Sequence, residues 1–412
     1  MNPTGNAPQR LKIINGRVLT PTRLIPNGTI LITGKTITDV SEGHIEAPDA
    51  EVLDAEGAYV SPGFIDIHVH GGGGHDFMDG TEEAFLQIAQ THARYGTTAM
   101  VPTTLTSSRH ELVDTLAIYE RANRRNTKGA CFLGMHLEGP YFALNQRGAQ
   151  DPRYIRDPDP DEYREVLERS SAIARWSAAP ERPGALAFGD YLRSKGVLAA
   201  IAHTDAVYEE VLAAVDHGYS LVTHLYSAMS GVSRRNGFRY AGVVESAFLL
   251  DELDVELIAD GVHLPAPLLK LAQKIKGPDR TVLITDAMRA AGMPPGQSIL
   301  GSLHNGIAVI VEDGVAKMPD RQSFAGSVAT TNRLVRNMVT MADIPLPEAV
   351  RMMSSTPARV MGVDHQKGEL VAGKDADIVF FDDAITVRLT MVGGRIVFRQ
   401  DKPHIFYKPD NQ

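Results

Sequence analysis

Cysteine is nearly absent: the 412-residue chain holds one, Cys131, so no intramolecular disulfide can form. It lies in the apolar run Ala130-Cys131-Phe132-Leu133 and reads as a buried structural thiol rather than a nucleophile. Long hydrophobic runs are missing too. No stretch of about 18 apolar residues occurs, so no membrane span is expected. Met1 to Arg10 lacks the apolar core of a secretory signal, and the cytoplasm is the expected location. Basic charge is in deficit, with 41 Lys and Arg against 50 Asp and Glu and a net charge of -9. A nucleic-acid binder needs a basic face, so that class is disfavoured. A small anionic substrate stays open, because one local Arg can hold a phosphate inside an acidic protein.

What is present suits a large globular core: 43% of residues are hydrophobic and 22% charged. The length suggests two or three domains, although a barrel of about 250 residues counts as one. The first 60 residues read as short strands with turns at Asn15-Gly16 and Gly34. Asp377–Asp382, Thr386–Thr390 and Arg395–Phe398 have the same texture around the turn Gly393-Gly394. Residues 1–61 and 366–412 are therefore expected to pair into one small β-sandwich domain built from both termini.

Residues 62–365 alternate strand and helix signals. Eight apolar, β-rich runs stand out: Phe64–His70, Thr97–Thr103, Cys131–Glu138, Ala174–Ala179, Val197–His203, Leu221–Leu225, Val255–Asp260 and Thr281–Asp286. Helical patterns such as Glu82–Tyr95, Ser107–Arg121, Asp161–Arg169, Tyr208–His217 and Pro267–Lys276 separate most of them. This spacing predicts an α/β chain with a TIM-like (β/α)8 barrel. After the eighth run, Ala308–Val311 between Asn305-Gly306 and Asp313-Gly314 reads as a hairpin.

Polar residues gather at the C-terminal ends of these runs, where barrel enzymes build their active sites. The first run ends in His68-Val69-His70, and residues two apart on a strand share a face, so both rings can grip one cation. Glu138, His203, His224 and Asp286 close the third, fifth, sixth and eighth runs. A single strand-end histidine is ordinarily just hydrogen-bonded, and a lone Asp there is often an N-cap. Five of eight strand ends carrying such groups is a pattern of another kind. Imidazole and carboxylate suit zinc, iron or another divalent ion, with zinc the first candidate. A divalent cation with an open position acidifies water to a pKa of about 7, which supplies hydroxide at neutral pH. Glu138 can bridge two cations or bind one. Asp286 can take a proton from the water and hand it to a leaving amine.

The motif Pro62-Gly63-Phe64-Ile65-Asp66-Ile67-His68-Val69-His70-Gly71 resembles the first-strand signature of the amidohydrolase superfamily. Lys367–Asp377 resembles that superfamily's return to its small β domain. His136-Leu137-Glu138-Gly139-Pro140, Ala202-His203-Thr204, Thr223-His224-Leu225-Tyr226, Ala259–His263 and Thr285–Met288 are similar to the N-acetylglucosamine-6-phosphate deacetylase family, in order along nearly the whole chain. The resemblance implies amide hydrolysis of an N-acetylated amino-sugar phosphate, in amino-sugar catabolism or recycling. It implies Glu138, His203 and His224 as metal ligands, with His68 and His70 making room for a second ion. It implies Asp286 as acid/base and further ligand, and His263 as a substrate contact. Arg235 aligns with an arginine that holds phosphate across a dimer interface, so a homodimer is expected.

Three positions depart from the family pattern. Ser227 stands where many members have Asn, although the backbone N–H groups of Ser227 and Ala228 remain possible phosphate donors. The loop Ser233–Phe238 replaces a Gly-Arg-Glu-Pro-Gly pattern, and Gln150 stands where some members have His. All three surround the expected substrate site, so they bear on which sugar is bound more than on the reaction. N-acetylgalactosamine 6-phosphate, an unphosphorylated sugar or an N-acyl amino acid are the alternative substrates. A cyclic amidase would need a bridging Lys, which the motif lacks. A non-catalytic metal-binding scaffold would show a broken ligand set.

Overall fold

The computed structural model describes residues 9–400. Residues 1–8 and 401–412, and with them most of the Met1–Arg10 segment and the end of the 366–412 segment, lie outside the described residues. Eight parallel strands carry the barrel: β1 (Phe64–Val69), β2 (Thr97–Pro102), β3 (Cys131–Phe132, continued as Met135–Glu138), β4 (Ile173–Ala178), β5 (Leu198–Ile201), β6 (Tyr219–Val222), β7 (Asp254–Ile258) and β8 (Thr281–Ile284). A helix follows each: α1 (Glu82–Ala93), α2 (Arg109–Arg125), α3 (Pro160–Arg169), α4 (Ala185–Ser194), α5 (Tyr208–Asp216), α6 (Val243–Leu249), α7 (Ala266–Lys276) and α8 (Thr331–Thr340).

The sheet curls until its edges meet. β3 is split, its first half pairing with β2 and its second with β4. A parallel bridge from Thr103 to His136 spans that break. At the other seam Asp286 N–H donates to His68 O at 2.9 Å, and Val69 bridges Ala287. The strands are buried on both faces, which is why they read as continuous apolar runs rather than alternating ones. Ala200, Leu221, Val282 and Ile284 join an inner cluster, while Ala199, Val222 and Leu283 pack outward with Phe188, Leu269 and Leu334 of the helices.

Local chemistry explains which helices the sequence announced. α1 starts at Thr81, whose side chain accepts from Ala84 N–H, and α2 starts at Ser108 with a reciprocal Glu111. α3 starts at Asp159 with Pro160 in its first turn. α4 and α6 start at Gly184 and Gly242 without a side-chain cap, so they carried no start signal.

The strands near both termini pair as one eight-stranded sheet with a core of its own. The strand Arg10–Leu19 takes Leu24–Thr33 along one edge and both Glu51–Asp54 and Tyr59–Pro62 along the other. Tyr59–Pro62 then pairs antiparallel with Ile378–Phe381, which joins the two ends of the chain. Ile378 and Phe380 enter this sheet's own core, and Val379 and Phe381 between them pack on the barrel. The expected hairpin after β8 is a four-stranded antiparallel sheet over Gly296–Leu300, Ile307–Glu312, Val315–Lys317 and Phe324–Ser327. Among the described residues no helix is long and apolar enough to cross a membrane.

Candidate active site and metal centre

The barrel mouth concentrates buried ionisable groups. His68 and His70, two residues apart at the end of β1, both face one carboxylate. His68 Nε2 and His70 Nε2 stand 3.3 Å apart and 3.4 and 3.3 Å from the Glu138 oxygens. Across the mouth His203 Nε2 and His224 Nε2 lie 3.4 and 3.1 Å from Glu138 Oε1. Asp286 Oδ1 is 3.2 Å from His70 Nε2 and 3.5 Å from His68 Nε2. Two donor groups result, His68-His70-Glu138 and Glu138-His203-His224, each with ligand atoms within 4.8 Å of one another. Glu138 belongs to both.

Backbone strain accompanies this convergence. His203, His224 and Asp286 have φ of 47°, 32° and 46°, in the left-handed region that non-glycine residues avoid. Gly139, at φ 86°, turns the chain just beyond Glu138, and a Cβ there would collide with Thr106 Oγ1. Trp176 Nε1 donates to Gly139 O at 2.8 Å, and its ring stacks on Tyr141 at 5.7 Å.

The electrostatics follow from a carboxylate set among imidazoles. Burial opposes ionisation of Glu138, but the facing His68, His203, His224 and His70 outweigh it and hold the carboxyl well below its usual range. Burial likewise works against a charged His70, while Asp286 and Glu138 push it up to about 10. Asp286 is held below its ordinary value, burial again being outweighed by His68 and His70. The pocket is built for positive charge. His68, His70, His203 and His224 all turn Nε2 toward Glu138, so donor atoms of the kind a cation takes converge on one carboxylate. Nitrogen and carboxylate donors at these spacings fit one or two divalent transition-metal ions. His136, also in the motif, is held neutral by burial and by Arg175, and bonds Ser177 Oγ at 2.6 Å instead.

A cavity of about 370 Å³ opens above this cluster. His70, Glu138, His203, His224 and Asp286 line its floor, and Gln150, Ser227, Ala228 and His263 line its walls. His263 is held by Asp260, with Nδ1 2.8 Å from Oδ2. Gly326, at φ 73°, passes Asp286 so closely that a Cβ would stand 3.1 Å from Asp286 O. Ser227 N–H already donates to His224 O at 2.9 Å, which leaves Ala228 as the backbone donor of the expected pair. Arg235 does not line the cavity: it sits on the exposed hairpin Ser233–Arg235 and Phe238–Tyr240, 5.1 Å over the Tyr240 ring.

Sequence reasoning missed the support beneath the site. Arg175 and Glu256 form a fully buried ion pair, and Arg175 also donates to Ile67 O at 3.2 Å and Thr223 Oγ1 at 2.7 Å. Glu256 Oε2 lies 3.5 Å from His68 Nδ1 and accepts from His224 N–H at 3.3 Å. A charge inside an otherwise apolar strand run was the available signal.

The model of the family described as "Amidohydrolase family" matches residues 59–397, most of the chain. The chain belongs to the amidohydrolase family. This amidohydrolase is 35% identical over 365 residues to the N-acetylglucosamine-6-phosphate deacetylase of Lysinibacillus sphaericus, covering 86% of this chain and 89% of that one. It is 34% identical over 359 residues to the N-acetylgalactosamine-6-phosphate deacetylase of Escherichia coli O157:H7, covering 85% and 91%. A variant of the Mycobacterium smegmatis N-acetyl-D-glucosamine-6-phosphate deacetylase, solved in complex with N-acetyl-D-glucosamine-6-phosphate, superposes with a TM-score of 0.87 at 33% identity over 94% and 99% of the two chains.

Proposed function

We propose that this amidohydrolase hydrolyses N-acetyl-D-glucosamine 6-phosphate to D-glucosamine 6-phosphate and acetate. The observation that carries the reading is the convergence of four histidines on Glu138 beside Asp286, at the floor of an open cavity. Its relatives of similar length supply the substrate class. His68, His70, Glu138, His203, His224 and Asp286 would hold one or two divalent ions, with zinc the first candidate. When bound, such an ion supplies a Lewis acid that polarises the amide carbonyl and acidifies water.

The side chains then have separate tasks. Asp286 is ionised at neutral pH and reaches the cavity, so it is available as a base. It takes one proton from the attacking water. The water oxygen bonds to the acetyl carbon, the C–N bond breaks, and Asp286 returns the proton to the departing amine. General acid–base help of this kind contributes about 10²–10⁴-fold. His263, with its ring fixed by Asp260, faces the sugar. Ala228 offers a backbone donor to the phosphate, and Arg235 reaches it from the second subunit of a homodimer.

The Escherichia coli relative favours a second reading, N-acetylgalactosamine 6-phosphate, by its 34% identity. Acetate release from the two sugar phosphates and from unphosphorylated N-acetylglucosamine, run in parallel, separates them. Fastest release from the glucosamine phosphate, abolished in Asp286→Asn, is expected. Faster release from the galactosamine phosphate would transfer the assignment, and no release from zinc-replete protein would end it.

A further inference from the structure

Gln150 was expected to face the substrate, but its side chain is committed elsewhere. Its Oε1 accepts from Thr106 N–H at 2.8 Å. A backbone N–H can only donate, so the amide oxygen must lie on that side. The amide nitrogen therefore faces the other way, 2.7 Å from Glu138 Oε2. Gln150 is buried, at 5% exposure, and its own N–H is tied to Arg147 O at 2.9 Å. The amide is clamped at both ends.

Glu138 is the side chain that both donor groups share, and its two oxygens divide the work. Oε1 faces His203, His224 and His68, and Oε2 faces His70. A carboxylate shared by two donor groups must hold one rotation about its terminal bond, or it turns an oxygen away from one of them. Nothing covalent imposes that rotation, because this torsion is broad. The Gln150 N–H bond to Oε2 does impose it, and Thr106 fixes Gln150 in turn.

We infer that Gln150 is a positioning residue that holds Glu138 turned toward both donor groups, and that it is not a substrate ligand. The inference rests on the metal-hydrolase reading above. Outer partners of metal ligands are worth about 10–100-fold in metal affinity. Gln150→Met keeps the length and removes the donor; Gln150→Ala removes the side chain.

The test measures zinc affinity by competition with a chromophoric chelator, then kcat and KM for N-acetylglucosamine 6-phosphate with and without excess zinc. Thermal unfolding of the metal-free proteins checks that each variant folds. Expected are a zinc affinity lower by about 10–100-fold in both variants, a KM unchanged at saturating zinc, and a kcat restored by added zinc. Unchanged zinc affinity, or a raised KM with zinc bound, would overturn the inference and make Gln150 a substrate contact. Failure of the unsubstituted protein to bind zinc or release acetate would instead overturn the metal-hydrolase reading itself.

Discussion

Among the clusters of buried charge in the described residues, two differ in what completes them. Where the chain returns to the terminal sheet, Lys367 Nζ donates to Asp375 and Asp377 at 2.9 and 2.7 Å, and Gly393 N–H donates to Asp377 at 2.7 Å. That cluster contains its own cation. The barrel mouth holds two carboxylates among four imidazoles, with no lysine or arginine among them. A buried charge cluster that satisfies itself holds strands together; one that does not is a place for a ligand. Burial alone does not separate them, since the lysine and the glutamate are both buried.

The largest effect should come from Glu138→Gln, which weakens the side chain shared by both donor groups. Metal retention after gel filtration and kcat should fall by more than the about 100-fold that losing an outer partner costs. A variant that keeps full metal would break the distinction between the clusters. Arg235→Ala should have an intermediate effect. One charge-assisted contact to phosphate is worth about 1.5–3 kcal/mol, so KM for the phosphorylated sugar should rise by about 10–100-fold. The unphosphorylated sugar, measured alongside, should be indifferent.

Lys367→Met should leave kcat untouched and strike stability alone. It strands the buried Asp377 carboxylate beside the half-buried Asp375, a change that costs about 3–5 kcal/mol in denaturant titrations. The pH dependence carries the sign. Burial opposes the Lys367 cation, but Asp377 and Asp375 outweigh it and raise its pKa above the ordinary 10.5. Its stabilisation is complete below that ordinary value and is lost only as the pH climbs through the higher folded one. Alkaline unfolding curves of the variant should lack this limb. A matching loss of kcat at neutral pH would show that the two clusters are coupled.

The candidate ligand set was legible in the sequence because metal chemistry needs particular residue types at strand ends, and strand ends can be read from apolar runs. His68, His70, Glu138, His203, His224 and Asp286 were found on that basis, and the structure brings them together. The eight barrel strands were legible for the same reason, since both-face burial writes itself as unbroken apolar stretches. α4 and α6 were not, because glycine starts leave no capping signature. Three further features depend on partners distant in sequence, and only the folded chain decides them. Arg175 meets Glu256 across 81 residues. Gln150 turns to Glu138 because Thr106, 44 residues away, claims its oxygen. One terminal sheet forms because Tyr59–Pro62 finds Ile378–Phe381. Residue type and local period specify what a segment can do, but long-range pairing selects which of its possible partners it meets.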